Sequence, residues 1–341
     1  MPGNDGYRFQ VMPGCTGPHL QTLFPAVLRR YPGPRLCRER IELSDGDFLD
    51  LDWVPGGHGP LLLVLHGLAG CSGSNYVGGL LRVARVHGWR GVAMNFRGCS
   101  GEPNRHAKSY CAGDTADLEA VLTLLRQRHP DAPLFAVGYS LGGGVLLKWL
   151  GETASEGLLA GSVAVSVPFQ LAHAARRMSH GWSRLYQAYL LRRLRRSYRR
   201  KFGSRGDGPV PFTELASLTD FWRFDDRVTA PLHGYAGVED YYAQASCHRY
   251  LKRIRTPTLI LHARDDPFML PESVPGPEDL SASIVLELSE RGGHVGFLGG
   301  LPWRPDYWLE QRIPAFVEER LSTPTEAVRK RAQSAPARLS R

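Results

Sequence analysis

Leu134-Phe135-Ala136-Val137-Gly138-Tyr139-Ser140-Leu141-Gly142-Gly143-Gly144-Val145-Leu146-Leu147-Lys148 decides how the rest of this chain is read. The apolar run predicts a buried strand over Leu134–Val137, broken at Gly138, and helical sequence follows over Val145–Leu150. Between them stands Gly138-Tyr139-Ser140-Leu141-Gly142, a G-x-S-x-G pattern. A serine hydroxyl is a poor nucleophile until a sharp turn presents it to both a base and a substrate. Side chains at the two glycine positions would clash in such a turn. In a chain with 38 glycines the pattern arises easily by chance. The strand directly before it and the helix directly after it give it weight.

Working outward, Leu61–Leu65 ends at His66-Gly67 and Gly91–Phe96 ends at Arg97-Gly98, and both read as buried strands. Asp114–Arg126 reads as a helix, with Ala116, Leu118, Val121, Leu122 and Leu125 at helical spacing. Ser162–Val167, Thr258–His262 and Ile284–Leu288 complete the buried strands, and Arg40–Val54 alternates like an antiparallel hairpin. Strands alternating with helices predict an α/β fold, a mainly parallel central sheet flanked by helices.

Three further segments fall where acyl-transfer chemistry needs them. His66-Gly67-Leu68 closes the first buried strand, where one backbone N–H of an oxyanion hole is expected; the residue after the nucleophile supplies the other. The expected donors are therefore the amides of Leu68 and Leu141, with His66 a structural loop residue. Arg264-Asp265-Asp266-Pro267-Phe268 follows a strand and offers two carboxylates. Asp266, before a Pro-hydrophobic turn, is the expected partner of a histidine, and Asp265 a loop cap. Gly292-Gly293-His294-Val295-Gly296 follows the last strand, and of twelve histidines only His294 comes after the acid. The order Ser140, Asp266, His294 is that of α/β-hydrolases. The chemistry expected is ester cleavage through an acyl-enzyme, with no metal and no cofactor called for. Thioester cleavage, acyl transfer to an alcohol, or a non-catalytic binder that keeps the fold are open alternatives.

At 341 residues the chain exceeds the roughly 200–250 of one α/β domain. The surplus is assigned to a helical cap inserted over about 170–250 of a hydrolase domain spanning 1–320, and to a disordered tail over 321–341. The six cysteines include no CxxC pair, Met1–Asp5 has no signal-peptide character, and no run of 18 apolar residues occurs. Reduced thiols in a cytoplasm are expected. The net charge of +9 is local: no acidic residue lies between Glu156 and Asp207, where eleven Lys and Arg fall, so binding of nucleic acid is not expected. Trp182, Leu185, Tyr186, Tyr189, Leu190, Leu194 and Tyr198 recur at three- and four-residue spacing there. They predict an amphipathic helix laid apolar face down over the active site, its arginines turned to solvent or to anionic lipid headgroups.

Taken together, these segments resemble the YheT-like esterases, a branch of the α/β-hydrolases that includes membrane-associated animal members. The resemblance runs through Pro18-His19-Leu20-Gln21-Thr22, His66-Gly67-Leu68, Asn95-Phe96-Arg97-Gly98-Cys99 and the Ser140 motif. It continues through Phe224-Asp225-Asp226, Asp240-Tyr241-Tyr242, Asp265-Asp266-Pro267 and Gly292-Gly293-His294-Val295-Gly296-Phe297. It implies hydrolysis of carboxylic esters, lipid-like ones among them, with the nucleophile on Ser140, the acid on Asp266 and the base on His294. One departure is Ala69 of Ala69-Gly70-Cys71, where an acidic residue is common.

Overall fold

Uninterrupted apolar strands belong to a sheet buried on both faces, and alternation within them sorts the core in two. Leu61, Leu63 and Leu65 face one cluster with Val92, Met94 and Ala136. Leu62 and Val64 face the other with Ala93, Phe135 and Val137. The structure, a computed structural model, describes residues 8–29, 33–153 and 157–322. Of the expected tail, Leu321 and Ser322 end the last helix, and 323–341 lie outside the described residues.

Eight strands form the sheet: β1 (Cys37–Glu42), β2 (Phe48–Trp53), β3 (Leu61–Leu65), β4 (Arg90–Asn95), β5 (Leu134–Tyr139), β6 (Gly161–Val165), β7 (Thr258–Ala263) and β8 (Ile284–Ser289). Their spatial order is β1-β2-β4-β3-β5-β6-β7-β8. From β4 to β8 every pairing is parallel, while β1 and β2 form the expected hairpin, antiparallel to each other and to β4. Strand order reverses between β3 and β5, and ligands of open parallel sheets bind beyond strand ends at such a switch. β5 does not break at Gly138: that residue pairs with Leu65 on one side and Ala164 on the other, carrying the strand on to Tyr139.

Helix α1 (Pro18–Leu28) precedes the sheet. Helices α2 (Asn75–Val86), α3 (Ala116–Arg128) and α4 (Leu141–Thr153) lie between strands; α4 thus begins at once after the serine, not at Val145. Leu118, Val121 and Leu122 of α3 and Val145, Leu146 and Leu147 of α4 fill the first cluster. Leu80 and Leu81 of α2 fill the second, with Ile313 and Phe316 from the final helix, Leu309–Ser322. A small hairpin, Leu298–Leu301 with Arg304–Tyr307, stands apart.

Between β6 and β7 the chain leaves the sheet for α5 (Leu171–Met178), α6 (Ser183–Phe202), α7 (Phe221–Phe224), a π turn over Asp225–Thr229, α8 (Ala230–Leu232) and α9 (Val238–Ala245). The expected apolar stripe of α6 does not hold as one face. Ser183, Gln187, Leu191, Tyr198, Lys201 and Phe202 are buried, whereas Trp182, Leu185 and Tyr189 are exposed. Polar partners decide the orientation. Ser183 Oγ donates to Pro267 O (2.6 Å), and Gln187 Oε1 accepts from Ser179 Oγ (3.2 Å) and Phe221 N–H (3.3 Å). Lys201 Nζ donates to Asn104 Oδ1 (2.6 Å) and Lys108 O (2.8 Å). Buried polar groups with partners are tolerated, and hydrophobic spacing cannot foresee partners contributed by distant loops.

Candidate active site

β5 ends at Tyr139 and α4 begins at Leu141, so Ser140 makes the turn alone. Its φ is +51°, a left-handed conformation that costs a non-glycine residue about 1–2 kcal/mol. Its neighbours hold it there: Ser140 N–H donates to Val165 O (2.8 Å) and Ser140 O accepts from Gly144 N–H (3.0 Å). The glycine requirement is steric. A Cβ on Gly138 would stand 2.5 Å from Gly142 O, and one on Gly142 would stand 2.5 Å from His66 O.

His294 lies in the loop after β8, with Nε2 3.0 Å from Ser140 Oγ and Nδ1 2.8 Å from Asp266 Oδ2. With the proton on Nδ1 donated to the carboxylate, the Nε2 lone pair faces the serine hydroxyl. Asp266, at the end of β7, is buried, and its Oδ1 accepts from Phe268 N–H (2.8 Å). Three consecutive amides suspend the histidine loop from side-chain oxygens. Gly293 N–H donates to Asp265 Oδ1 (2.9 Å), His294 N–H to Thr22 Oγ1 (3.0 Å) and Val295 N–H to Ser166 Oγ (3.0 Å). Asp265 is thus the loop anchor beside Asp266, and burial raises its pKa. The Phe268 ring stacks on the imidazole at 3.9 Å and 8°, closing one side of it to water.

The two expected oxyanion donors lie just beyond neighbouring strand ends, Leu68 in the loop after β3 and Leu141 at the first position of α4. Gly67 N–H donates to Tyr76 Oη (2.9 Å) and Ala69 N–H to Tyr110 Oη (2.8 Å). Among the described residues the amides of Leu68 and Leu141 have no hydrogen-bond partner. Ala69 needs no acidic side chain here, because the Tyr110 hydroxyl holds its amide. His66 is buried and structural: its Nε2 accepts from Phe96 N–H (3.2 Å), its Nδ1 lies 2.8 Å from Gly67 O, and burial lowers its pKa to about 4.

A cavity of about 170 Å³ opens from Ser140 between the sheet and the helices inserted between β6 and β7. Leu68, Ala175, Met178, Leu190, Leu194 and Phe221 give it apolar walls. Among the polar groups in the lining, two have pKa values moved close to neutrality. Lys201 is one, its pKa lowered to about 7 by burial, which outweighs the attraction of Asp47. Asp225 is the other, its carboxyl raised to about 6 by burial although Thr229 Oγ1 (2.6 Å) and Tyr242 Oη (2.7 Å) donate to it. Sequence reasoning named all three groups of the Asp266–His294–Ser140 chain. It did not find Thr22, Ser166, Tyr76, Tyr110 or Phe268 as supports. Thr22, Ser166 and Phe268 lie inside segments quoted for other reasons, and Tyr76 and Tyr110 carry no motif.

Residues 60–301 match the model of the alpha/beta hydrolase fold family. The chain is 44% identical over 312 residues to "Putative esterase YheT" of Escherichia coli (strain K12), covering 90% of this chain and 92% of that protein. It is 30% identical over 308 residues to "Phospholipase ABHD3" of Mus musculus, covering 87% of this chain and 75% of the relative. Among solved structures the Pyrococcus furiosus esterase Pf2001 superposes with a TM-score of 0.54 at 16% identity, covering 86% of this chain and 98% of the other, a likeness of fold.

Proposed function

Since the chain belongs to the α/β-hydrolase family, in its YheT-like branch, we propose that it cleaves carboxylic esters of lipid-like acyl groups with Ser140 as nucleophile. The observation that carries this reading is the unbroken hydrogen-bonded chain Asp266–His294–Ser140. His294 Nε2 takes the hydroxyl proton as Ser140 Oγ bonds to the ester carbonyl carbon. The amides of Leu68 and Leu141 hold the oxyanion, and Asp266 stabilises the imidazolium. Collapse breaks the C–O bond, and the departing alkoxide leaves as an alcohol with the proton from His294. Water, deprotonated by the same nitrogen, then releases the acid and restores the serine.

The apolar cavity supports a lipid-like acyl group, and the name of the mouse relative points the same way. A cavity of about 150 Å³ takes benzene, so this one fits an acyl chain of about six to eight carbons without rearrangement. The cap over about 170–250 supplies most of that lining, which supports its role in choosing the acyl group. The six cysteines, each a free thiol, support a reducing compartment such as the cytoplasm.

Labelling with a fluorophosphonate tests the nucleophile. Wild type is expected to label, and Ser140→Ala to stay unlabelled with ester hydrolysis down by at least about 10⁴-fold. A labelled variant, or a folded wild type that does not label, removes the assignment. Across a series of p-nitrophenyl esters, kcat/KM is expected to peak near six to eight acyl carbons. A maximum at acetate would mean that the cavity does not receive the acyl chain.

A further inference from the structure

Helix α1 is amphipathic in the inverted sense. Its inward side is polar: Gln21, fully buried, donates through Nε2 to Cys15 O (2.8 Å) and Leu298 O (2.9 Å), and Thr22 carries the amide of His294. Its outward side presents Leu20, Leu23, Phe24 and Val27 at i, i+3, i+4 and i+7, with Val27 75% exposed. At the start of α6, Trp182, which immediately precedes the helix, and Leu185 and Tyr189 on its first half repeat the pattern with exposures of 72%, 62% and 58%. The two helices meet where His19 Nδ1 lies 3.1 Å from Tyr186 Oη. Tyr186 packs on Phe268 at 5.1 Å, and Phe268 on His294, so this apolar ground borders the mouth of the site.

We propose that the outward faces of α1 and α6 form a docking surface for an anionic lipid bilayer. Single exposed apolar side chains need no explanation, but seven of them at helical spacing on two touching helices do. Charge selects the partner. No acidic residue occurs over 6–38 or 157–206, so neither helix carries a negative side chain. The outward face of α6 continues past Tyr189 as Arg192, Arg193 and Arg196, all exposed. Apolar and indole groups suit the boundary between headgroups and acyl chains, and guanidinium groups suit lipid phosphates. A second copy fits less well, since two-fold pairing through this surface sets one arginine row against another. The attachment is peripheral: among the described residues no helix is long and apolar enough to cross a membrane. It goes beyond the hydrolytic reading and does not depend on it.

Flotation of the full chain carrying Ser140→Ala tests the surface apart from catalysis. The vesicles are phosphatidylcholine alone, or with about 30% phosphatidylglycerol, at about 0.1 M and about 0.5 M salt. Binding is expected only with the anionic lipid and is expected to weaken with salt. Trp182→Ser with Leu185→Ser, and separately Val27→Ser, should each weaken it by about tenfold or more. Arg192→Gln and Arg196→Gln should each cost about fivefold at low salt. None of these side chains lines the cavity, so hydrolysis of a soluble short ester by the same variants with Ser140 intact should match wild type. Three results would overturn the proposal: no binding to anionic vesicles, binding indifferent to these substitutions, or a dimer in light scattering that the same substitutions split.

Discussion

The platform that carries Ser140, Asp266 and His294 and the cap helix α6 are both well packed, yet they are held in different ways. On the platform, what is gripped is the main chain of the catalytic residues themselves. Ser140 is fixed by two main-chain hydrogen bonds and two glycines that leave no room for a Cβ, and the His294 loop hangs by three successive amides. On α6, side chains set position: Ser183, Gln187 and Lys201 each find a partner from another element, and Leu191 fills the apolar cluster between them. The nucleophile, held by main chain, keeps its place while the residues around it change, and the histidine loop does so as long as Asp265, Thr22 and Ser166 keep their oxygens. An insertion held by side-chain pairs can be altered one pair at a time, which suits the part proposed to choose the acyl group.

This contrast can be broken by substitution. The largest effect is expected from Asp266→Asn. An amide can no longer hold the Nδ1–H tautomer, and kcat should fall by about 10⁴-fold. Phe268 N–H keeps an oxygen to donate to, so thermal stability should barely move; a collapse in Tm beside the rate loss would make Asp266 a folding residue. Next, Leu191→Ala should destabilise by about 2–5 kcal/mol, as deletion of a buried leucine does, whereas Trp182→Ser, just before the first residue of the helix, should stay within about 0.5 kcal/mol. Equal costs in chemical denaturation would mean that α6 is turned otherwise.

A further effect is spread over pH, small at each step and largest at the alkaline end. Lys201 has a folded pKa of about 7 against an ordinary value of 10.5. Between these the unfolded chain binds a proton that the folded chain lacks. The stability of wild type relative to Lys201→Met should therefore rise with pH from about 7 towards 10, by up to about 1.4 kcal/mol per unit, and stay level below 7. A difference that is flat across that window would mean that the lysine is solvated.

The same contrast explains what the sequence made legible. Leu61–Leu65 and Thr258–His262 can be read because both sides of each strand are apolar, and Ser140 and Asp266 because each follows such a strand; His294 follows β8, an edge strand that is half exposed and not buried as expected, and is read from its order after the acid. The orientation of α6 could not be read. Leu185 and Tyr189 are as apolar as Leu191 and Tyr198, and only Pro267 O, Phe221 N–H and Asn104, from remote parts of the chain, choose between the faces. Leu298–Leu301 and Arg304–Tyr307 lack alternation, and Gly299 and Gly300 suggest a loop. α1 escapes detection for the opposite reason: its regular apolar spacing points away from the core.

The hydrogen bond from His294 N–H to Thr22 Oγ1 spans 272 positions of sequence, and it bears on how much of the chain makes a working unit. A protein trimmed to the family-matched stretch, 60–301, would retain the serine, the aspartate and the histidine. It would lack the threonine under the histidine's backbone and the edge hairpin that caps the sheet. The smallest active fragment therefore begins before residue 18, some forty positions ahead of the first parallel strand.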